Sequence, residues 1–176
     1  MARNPVMRVR HEQPSQVLMF LGGAGGSGKT QVIKAFTYLH ERLHIKHTLH
    51  LTAYTGTAAA HIQGSTLSSL GQIGHNRNQN LQKLEATWAH INTIVLDEVS
   101  MVGCRLLGKT HRSLMLAKHK EKNLPFAGID ILFAGKFSFQ LHTYIWCFIG
   151  LINMYERINI RPILVITCKA HSSYYM

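Results

Sequence analysis

The sequence predicts an α/β fold: a parallel sheet with helices on both faces. Short apolar runs of strand length alternate along the chain with longer segments in which apolar residues recur at helical spacing. Parallel strands need a crossover connection between them, usually a helix, so this alternation favours a parallel sheet. The 176 residues, of which 46% are apolar, are enough for one domain with a buried core.

Four apolar runs are predicted to form the strands. Three of the runs are mostly apolar, which is typical of strands buried on both faces, whereas residues 48–53 include polar residues. The predicted strands are residues 17–21, 48–53, 91–96 and 129–134.

Three segments are predicted to be helices, at residues 30–43, 55–62 and 105–122. The first has apolar residues at helical spacing along one face. The third is rich in Lys, Arg and His, so it is either a solvated helix face or a surface that meets nucleic-acid phosphates. Residues 71–80 are rich in Gly, Asn, Gln and His and are predicted to be a surface loop.

This pattern divides the chain into three parts. Residues 1–16 are an N-terminal extension, residues 17–141 are the predicted α/β domain, and residues 142–176 are a tail with apolar blocks but no clear periodicity. The tail either adds strands to the sheet or is sequence appended to the domain. The lack of any motif beyond Leu141 favours the second interpretation.

Charge and cysteine content narrow the class of protein. The chain has 19 Lys and Arg against 8 Asp and Glu, a net charge of +11, which favours polyanionic partners such as nucleic acid. Its three cysteines are far apart, so neither a zinc site nor a disulfide scaffold is indicated, and an intracellular location is expected. No apolar run approaches the roughly 20 residues of a membrane-spanning helix, so no membrane partner is expected.

The strongest motif is GAGGSGKT at residues 23–30, which matches the phosphate-loop pattern GxxxxGK[ST]. A loop of this kind turns backbone N–H groups toward phosphate oxygens, and the next helix presents its positive end to them. Lys29 is predicted to reach the β- and γ-phosphates, and the Thr30 hydroxyl is predicted to bind Mg²⁺. The other predicted nucleotide-binding residues of the loop are Gly23, Gly25, Gly26, Ser27 and Gly28.

Two acidic residues, Asp97 and Glu98, follow the third predicted strand. A strand that ends in two acids, downstream of a phosphate loop, is the Walker-B arrangement of nucleoside triphosphatases. Asp97 is predicted to hold Mg²⁺ beside the nucleotide, mostly through water. Glu98 is predicted to orient and deprotonate the attacking water.

Four ordered blocks resemble the Pif-type DNA helicases, superfamily-one 5′→3′ motors related to RecD. They are MFLGGAGGSGKTQVIKAF at 19–36, LTAYTGTAAAHIQGSTLSSL at 51–70, IVLDEVSMV at 94–102 and PFAGIDILFAGKFSFQL at 125–141. The resemblance implies a RecA-like lobe that binds ATP and Mg²⁺ and hydrolyses ATP while it moves on single-stranded DNA. It also implies a place in the nucleus, with the mitochondrion as the alternative.

The resemblance implies roles for further residues. Gln140 corresponds to the glutamine that senses the γ-phosphate, so it is predicted to be catalytic together with Lys29 and Glu98. Thr55, Gly56 and Thr66 lie in segments that track the DNA strand in such motors. The resemblance also implies functions in DNA recombination, DNA repair and telomere maintenance.

The chain departs from the family pattern in the fourth block. Lys136 stands where the family has aspartate, and one extra residue separates Gly135 from Gln140. No second motor lobe fits into the residues after Leu141, so the chain is expected to be a fragment that binds nucleotide but does not unwind DNA alone. Two alternatives remain: a relic that binds ATP and DNA without turnover, and another phosphate-loop enzyme such as a small kinase.

Overall fold

A six-stranded sheet organises the part of the chain that the structure, a computed structural model, describes: residues 16–70, 77–118, 124–136 and 164–167. The strands are β1 (Leu18–Gly22), β2 (Leu49–Ala53), β3 (Ser65–Thr66), β4 (Thr93–Asp97), β5 (Asp130–Gly135) and β6 (Leu164–Thr167). Their order is β3-β2-β4-β5-β1-β6, and all five neighbouring pairs are parallel. The carboxyl ends of the strands therefore share one edge of the sheet.

Five α-helices connect these strands within the described residues. They are α1 (Lys29–Arg42), α2 (Gly56–His61), α3 (Leu67–Leu70), α4 (Arg77–Trp88) and α5 (Cys104–Lys118). Short 3₁₀ turns at Lys46–Thr48, Val99–Met101 and Pro125–Gly128 complete the connections.

The helices cover both faces of the sheet, which confirms the predicted fold class. Successive residues of a strand point to opposite faces, so β4 sends Ile94 and Leu96 into one core and Val95 into the other. Helices α3, α4 and α5 pack in the core that contains Ile94, and α1 and α2 pack in the core that contains Val95. The phosphate-loop strand β1 is thus held between two layers of apolar side chains.

The predicted strands and helices agree with the structure to within about two residues at most boundaries, with one clear error. The loop prediction is wrong for residues 77–80, because these residues begin helix α4. Residues 71–76 of that loop and residues 119–122 of the third predicted helix lie outside the described residues. Helix α4 is mostly polar, and among its described side chains Leu84 and Trp88 are buried, at 9% and 0% exposed.

Strand β6 lies in the predicted tail. Its backbone pairs in parallel with β1, with Met19 opposite Leu164 and Gly22 opposite Thr167. For these four residues the tail therefore adds a strand to the sheet, which is the alternative that the sequence favoured less. The other residues of 142–176 lie outside the described part of the chain.

Candidate nucleotide-binding site

The predicted phosphate loop begins where β1 reaches the carboxyl edge of the sheet. Gly22 lies opposite Gly135 of β5, and the N–H of Gly23 donates to the Gly135 carbonyl at 3.2 Å, which fixes the start of the loop. Gly26 and Gly28 have φ values of 74° and 89°. This left-handed region is readily accessible to glycine and disfavoured for other residues, so these two positions need glycine to close the loop.

The loop has open space on its outer surface. A Cβ atom added at Gly25, Gly26 or Gly28 would meet no other atom within 4 Å. The chain enters α1 directly from Gly28, with no side chain capping the helix and no acidic residue in its first turn. A helix end of this kind presents N–H groups and positive partial charge, so loop and helix suit a bound polyphosphate.

Lys29 places its ammonium group within the loop. Its Nζ donates to the carbonyls of Gly23 and Ala24 at 2.8 and 2.7 Å and lies 3.4 Å from the Ser27 hydroxyl. Thr30 follows as the second residue of α1 and is partly exposed. The cation and Thr30 thus both lie at the start of α1, directly after the loop.

The acidic pair lies at the same edge of the sheet. Asp97 ends β4 and its Oδ1 accepts a hydrogen bond from the Glu98 N–H at 2.8 Å. Burial raises the pKa of Asp97 and the charge of Glu98 adds to this, whereas the hydrogen bond from the Glu98 N–H and the charge of Lys29 lower it. Because β1 and β4 both pair in parallel with β5, the phosphate loop after β1 and the acidic pair after β4 lie at the same edge of the sheet.

Comparisons with known proteins agree with this geometry. A family model of PIF1-like helicases matches residues 4–144. The chain belongs to the PIF1-like helicase family. Among curated relatives, the ATP-dependent DNA helicase RRM3 of Saccharomyces cerevisiae is 33% identical over 133 residues, and PIF1 of the same species is 30% identical over 132 residues.

Solved PIF1-like structures share the fold. Bacteroides Pif1 in complex with ADP-AlF4 has a TM-score of 0.61 at 24% identity, covering 89% of this chain and 39% of that one. Candida albicans Pif1 has a TM-score of 0.59 at 24% identity, covering 87% of this chain and 36% of that one. The matches to the two yeast helicases cover 70% of this chain but only 18% and 15% of their lengths. The described chain therefore corresponds to a minor part of its relatives.

The residues predicted to contact DNA lie at the carboxyl edge of the sheet, after β2 and at the end of β3. Thr55 follows β2 and caps α2 by accepting the Ala58 N–H at 3.2 Å, and Gly56 is the exposed first residue of that helix. Thr66, at the end of β3, accepts the Ser69 N–H at 3.2 Å. Both threonine hydroxyls therefore stabilise turns at the carboxyl edge.

One contact in this region is not visible in the sequence. The Thr55 hydroxyl also donates to Oε2 of Glu98 at 2.8 Å, across 43 positions of the chain. The pairing of Ala53 with Asp97 between β2 and β4 brings the two residues together. The sequence does show a hydroxyl residue two positions after β2. This residue points to a contact with Glu98 only once β2 is known to pair with β4.

Three further residues bear on the predicted site: Gln140, Lys136 and Gln16. Gln140 lies outside the described residues. Lys136, which replaces the family's aspartate, is exposed directly after β5. Gln16, upstream of the loop, donates through Nε2 to the carbonyls of Pro125 and Ile129 at 2.6 and 2.8 Å, so it secures the turn before β5. That contact is structural, and sequence reasoning did not assign it.

The described residues place limits on other kinds of site. Among them, no group of three or more His, Cys, Asp or Glu side chains could hold a metal ion by itself. No described helix has both the length and the apolar content needed to cross a membrane. The site instead offers the phosphate loop with Lys29, the Thr30 hydroxyl and the carboxylates of Asp97 and Glu98, a set that suits a metal-bound triphosphate.

Proposed function

We propose that this chain is the nucleotide-binding lobe of an ATP-dependent DNA helicase that moves 5′→3′ on single-stranded DNA. The observation that carries the proposal is the position of the phosphate loop and the acidic pair after β1 and β4, the two strands that flank β5, at one edge of the sheet. The names of the curated relatives, ATP-dependent DNA helicases, support the same activity. The kinase alternative has no comparable support.

Each residue of the site has a proposed role. The loop N–H groups and Lys29 bind the β- and γ-phosphates. Thr30 and Asp97 hold Mg²⁺, which neutralises phosphate charge and helps to orient the triphosphate. Glu98 orients the attacking water and accepts its proton. Gln140 is proposed to sense the γ-phosphate.

Single-stranded DNA is the proposed second ligand. Thr55 and Gly56 lie at the carboxyl edge beside Glu98, and Thr66 ends β3, the strand that pairs with β2. A surface that follows the DNA backbone needs polar groups and positive charge rather than base-specific contacts, and the net charge of +11 supports such a partner. A DNA ligand also supports a location in the nucleus, or in the mitochondrion as the alternative.

Unwinding is proposed to require a second motor lobe. Arginines contributed in trans or from another domain stabilise the transition state in related nucleotide hydrolysis, and this chain covers only 18% of the yeast relative RRM3. A second candidate function, ATP and DNA binding without turnover, is favoured by one observation: Lys136 replaces the family's aspartate at the carboxyl edge.

The decisive experiment measures Mg²⁺-ATP binding by the purified chain, by Lys29→Ala and by Lys34→Ala. Lys34 is exposed on the same helix outside the loop, so it is a matched control for loss of one positive charge. We expect Lys29→Ala to weaken binding by about tenfold or more, since it removes a charge-assisted contact, and Lys34→Ala to bind like wild type.

Equal binding by all three proteins would argue against the phosphate loop as the nucleotide site. ATP hydrolysis is then measured with and without a single-stranded oligonucleotide. Hydrolysis that DNA stimulates supports the motor-lobe proposal, whereas binding without hydrolysis supports the non-catalytic alternative.

A further inference from the structure

The Thr55 hydroxyl links helix α2, at the proposed DNA-binding surface, to Glu98, which is proposed to orient the attacking water. Its oxygen accepts the Ala58 N–H at 3.2 Å and thereby caps α2, while its hydrogen is donated to Glu98 Oε2 at 2.8 Å. Both residues are only partly exposed. A displacement of the first turn of α2 therefore moves the hydrogen-bond donor of Glu98.

The order of the strands shows toward which side of β4 the Thr55 hydroxyl holds the Glu98 carboxylate. Strand β2, which leads to Thr55, lies on one side of β4, whereas the phosphate loop follows β1 on the other side, beyond β5. The hydrogen bond therefore draws the Glu98 carboxylate toward β2. It also engages one of the carboxylate oxygens, which leaves less capacity to accept the proton of a water molecule.

The backbone of Glu98 is fixed while its side chain depends on Thr55. Glu98 has a left-handed conformation, with φ 54° and ψ 34°, and its carbonyl accepts the Met101 N–H at 2.9 Å. The next residue, Val99, is 1% exposed. With the main chain anchored in this way, rotation of the side chain is the freedom that remains for moving the carboxylate.

We propose that Thr55 is a positioning residue that holds Glu98 away from the phosphate loop until single-stranded DNA engages the Thr55–Gly56 segment. This regulation rests on the proposed function. When DNA shifts the segment, Glu98 is released toward the nucleotide. Water oxygen then bonds to the γ-phosphorus, the bond from that phosphorus to the β–γ bridging oxygen breaks with its electrons on ADP, and the water proton passes to Glu98.

Three substitutions of Thr55 distinguish the effect of its hydrogen bond to Glu98 from the effect of its cap on helix α2. Thr55→Ser keeps both the donor and the cap. Thr55→Val removes both with little change of shape. Thr55→Asp keeps the cap, because aspartate is a favourable N-cap residue, but it has no proton to donate at neutral pH and repels Glu98.

The test measures kcat and KM for ATP without DNA and with a thymidine oligonucleotide, together with the Kd for ATP. We expect Thr55→Val and Thr55→Asp to raise the DNA-independent kcat about tenfold, to lower the degree of stimulation by DNA and to leave the Kd for ATP within about twofold. Thr55→Ser keeps the hydroxyl donor, so its DNA-independent kcat should rise less than that of Thr55→Val or Thr55→Asp. A purely structural role would not raise kcat selectively.

Two results would overturn the inference while leaving the proposed function intact. One is a wild-type chain that binds ATP through Lys29 and Thr55 variants whose DNA-independent kcat is unchanged or lower. The other is a change in Thr55→Val that Thr55→Asp does not share, which would assign the effect to the cap. Failure of wild type to bind Mg²⁺-ATP at all would instead reject the proposed function and, with it, the inference.

Discussion

His111 accepts a hydrogen bond at Nδ1 from the backbone N–H of Phe126 at 3.0 Å. The two rings also meet edge to face, with centroids 5.5 Å apart. His111 lies on α5, and Phe126 lies in the turn that leads into β5. The contact requires a Nδ1 atom without a proton, so it favours the neutral imidazole and links helix packing to pH.

The stability of the fold should fall on acidification. Burial, and secondarily the charge of Arg112, lower the pKa of His111 below its ordinary value of 6.5, and burial lowers the pKa of His50 in the same direction. A histidine with a lowered folded pKa contributes stability that is complete above 6.5 and is lost as the pH falls from 6.5 through the folded pKa.

Urea unfolding at about pH 7.5 and about pH 5.5 measures this effect. His111→Gln, which can still accept a hydrogen bond but does not titrate, should lose less stability than wild type over the same interval. His50→Gln is the matched variant for the other histidine whose pKa is lowered. Identical losses in wild type and in both variants would assign the pH dependence to other groups.

Substitution by glycine should destabilise the fold less at Ala127 than at Ala117, another buried alanine. Ala127 has φ 56° and is 6% exposed, whereas Ala117 is 7% exposed within helix α5. A left-handed backbone costs a non-glycine residue about 1–2 kcal/mol, and glycine in a helix costs about 1 kcal/mol relative to alanine. We expect the free energies of unfolding of Ala127→Gly and Ala117→Gly to differ by about 2 kcal/mol, in favour of Ala127→Gly. Equal losses in denaturant titrations would contradict the strain at Ala127.

Gly64 should not tolerate alanine. A Cβ atom there would lie 2.7 Å from the carbonyl carbon of Leu51 in β2, which is backbone and cannot rotate away. We expect Gly64→Ala to lower the free energy of unfolding by about 3 kcal/mol. Gly103→Ala is the control, because its Cβ would meet nothing within 4 Å, and it should cost less than about 1 kcal/mol. Thermal melts of both variants measure the difference; similar values would rule out the clash.

Asp97→Asn should stabilise the fold while it weakens nucleotide binding. Burial and the Glu98 charge raise the pKa of Asp97, so the ionised side chain is unfavourable in the fold above that pKa, and its neutral form stabilises at lower pH. Asparagine keeps an oxygen that can accept the Glu98 N–H. We expect a higher Tm at neutral pH and a Mg²⁺-dependent ATP affinity at least about tenfold lower. A lower Tm would show that the carboxylate stabilises the lobe.

The parts of the fold that the sequence predicted are those set by local pattern. Strands β1, β2, β4 and β5 were recognised because each is a short run rich in apolar residues, and the loop because Gly26, Gly28 and Lys29 form a local motif. Helix α4 was missed because, among its described side chains, Leu84 and Trp88 are the buried apolar residues and polar residues surround them. Two buried residues four positions apart are too few to establish a period.

Contacts between distant parts of the chain could not be predicted in the same way. The roles of Thr55, Gln16 and His111 depend on partners that lie 15 to 113 positions away. Such pairs are defined by strand order and helix packing rather than by spacing. The predicted roles of Thr30, Gly56, Thr66 and Gln140 stay predictions until binding is measured.

The pairing of β1 with β6 has a consequence for how the chain is made. Met19 acquires its neighbour Leu164 only after almost all of the described residues have been synthesised. Until then the strand that leads into the phosphate loop has an open edge, and its backbone groups are available to other extended chains. A ribosome that pauses before residue 164 would hold a nascent lobe prone to intermolecular association, so its yield depends on translation speed and on chaperones as well as on the stability of the finished fold.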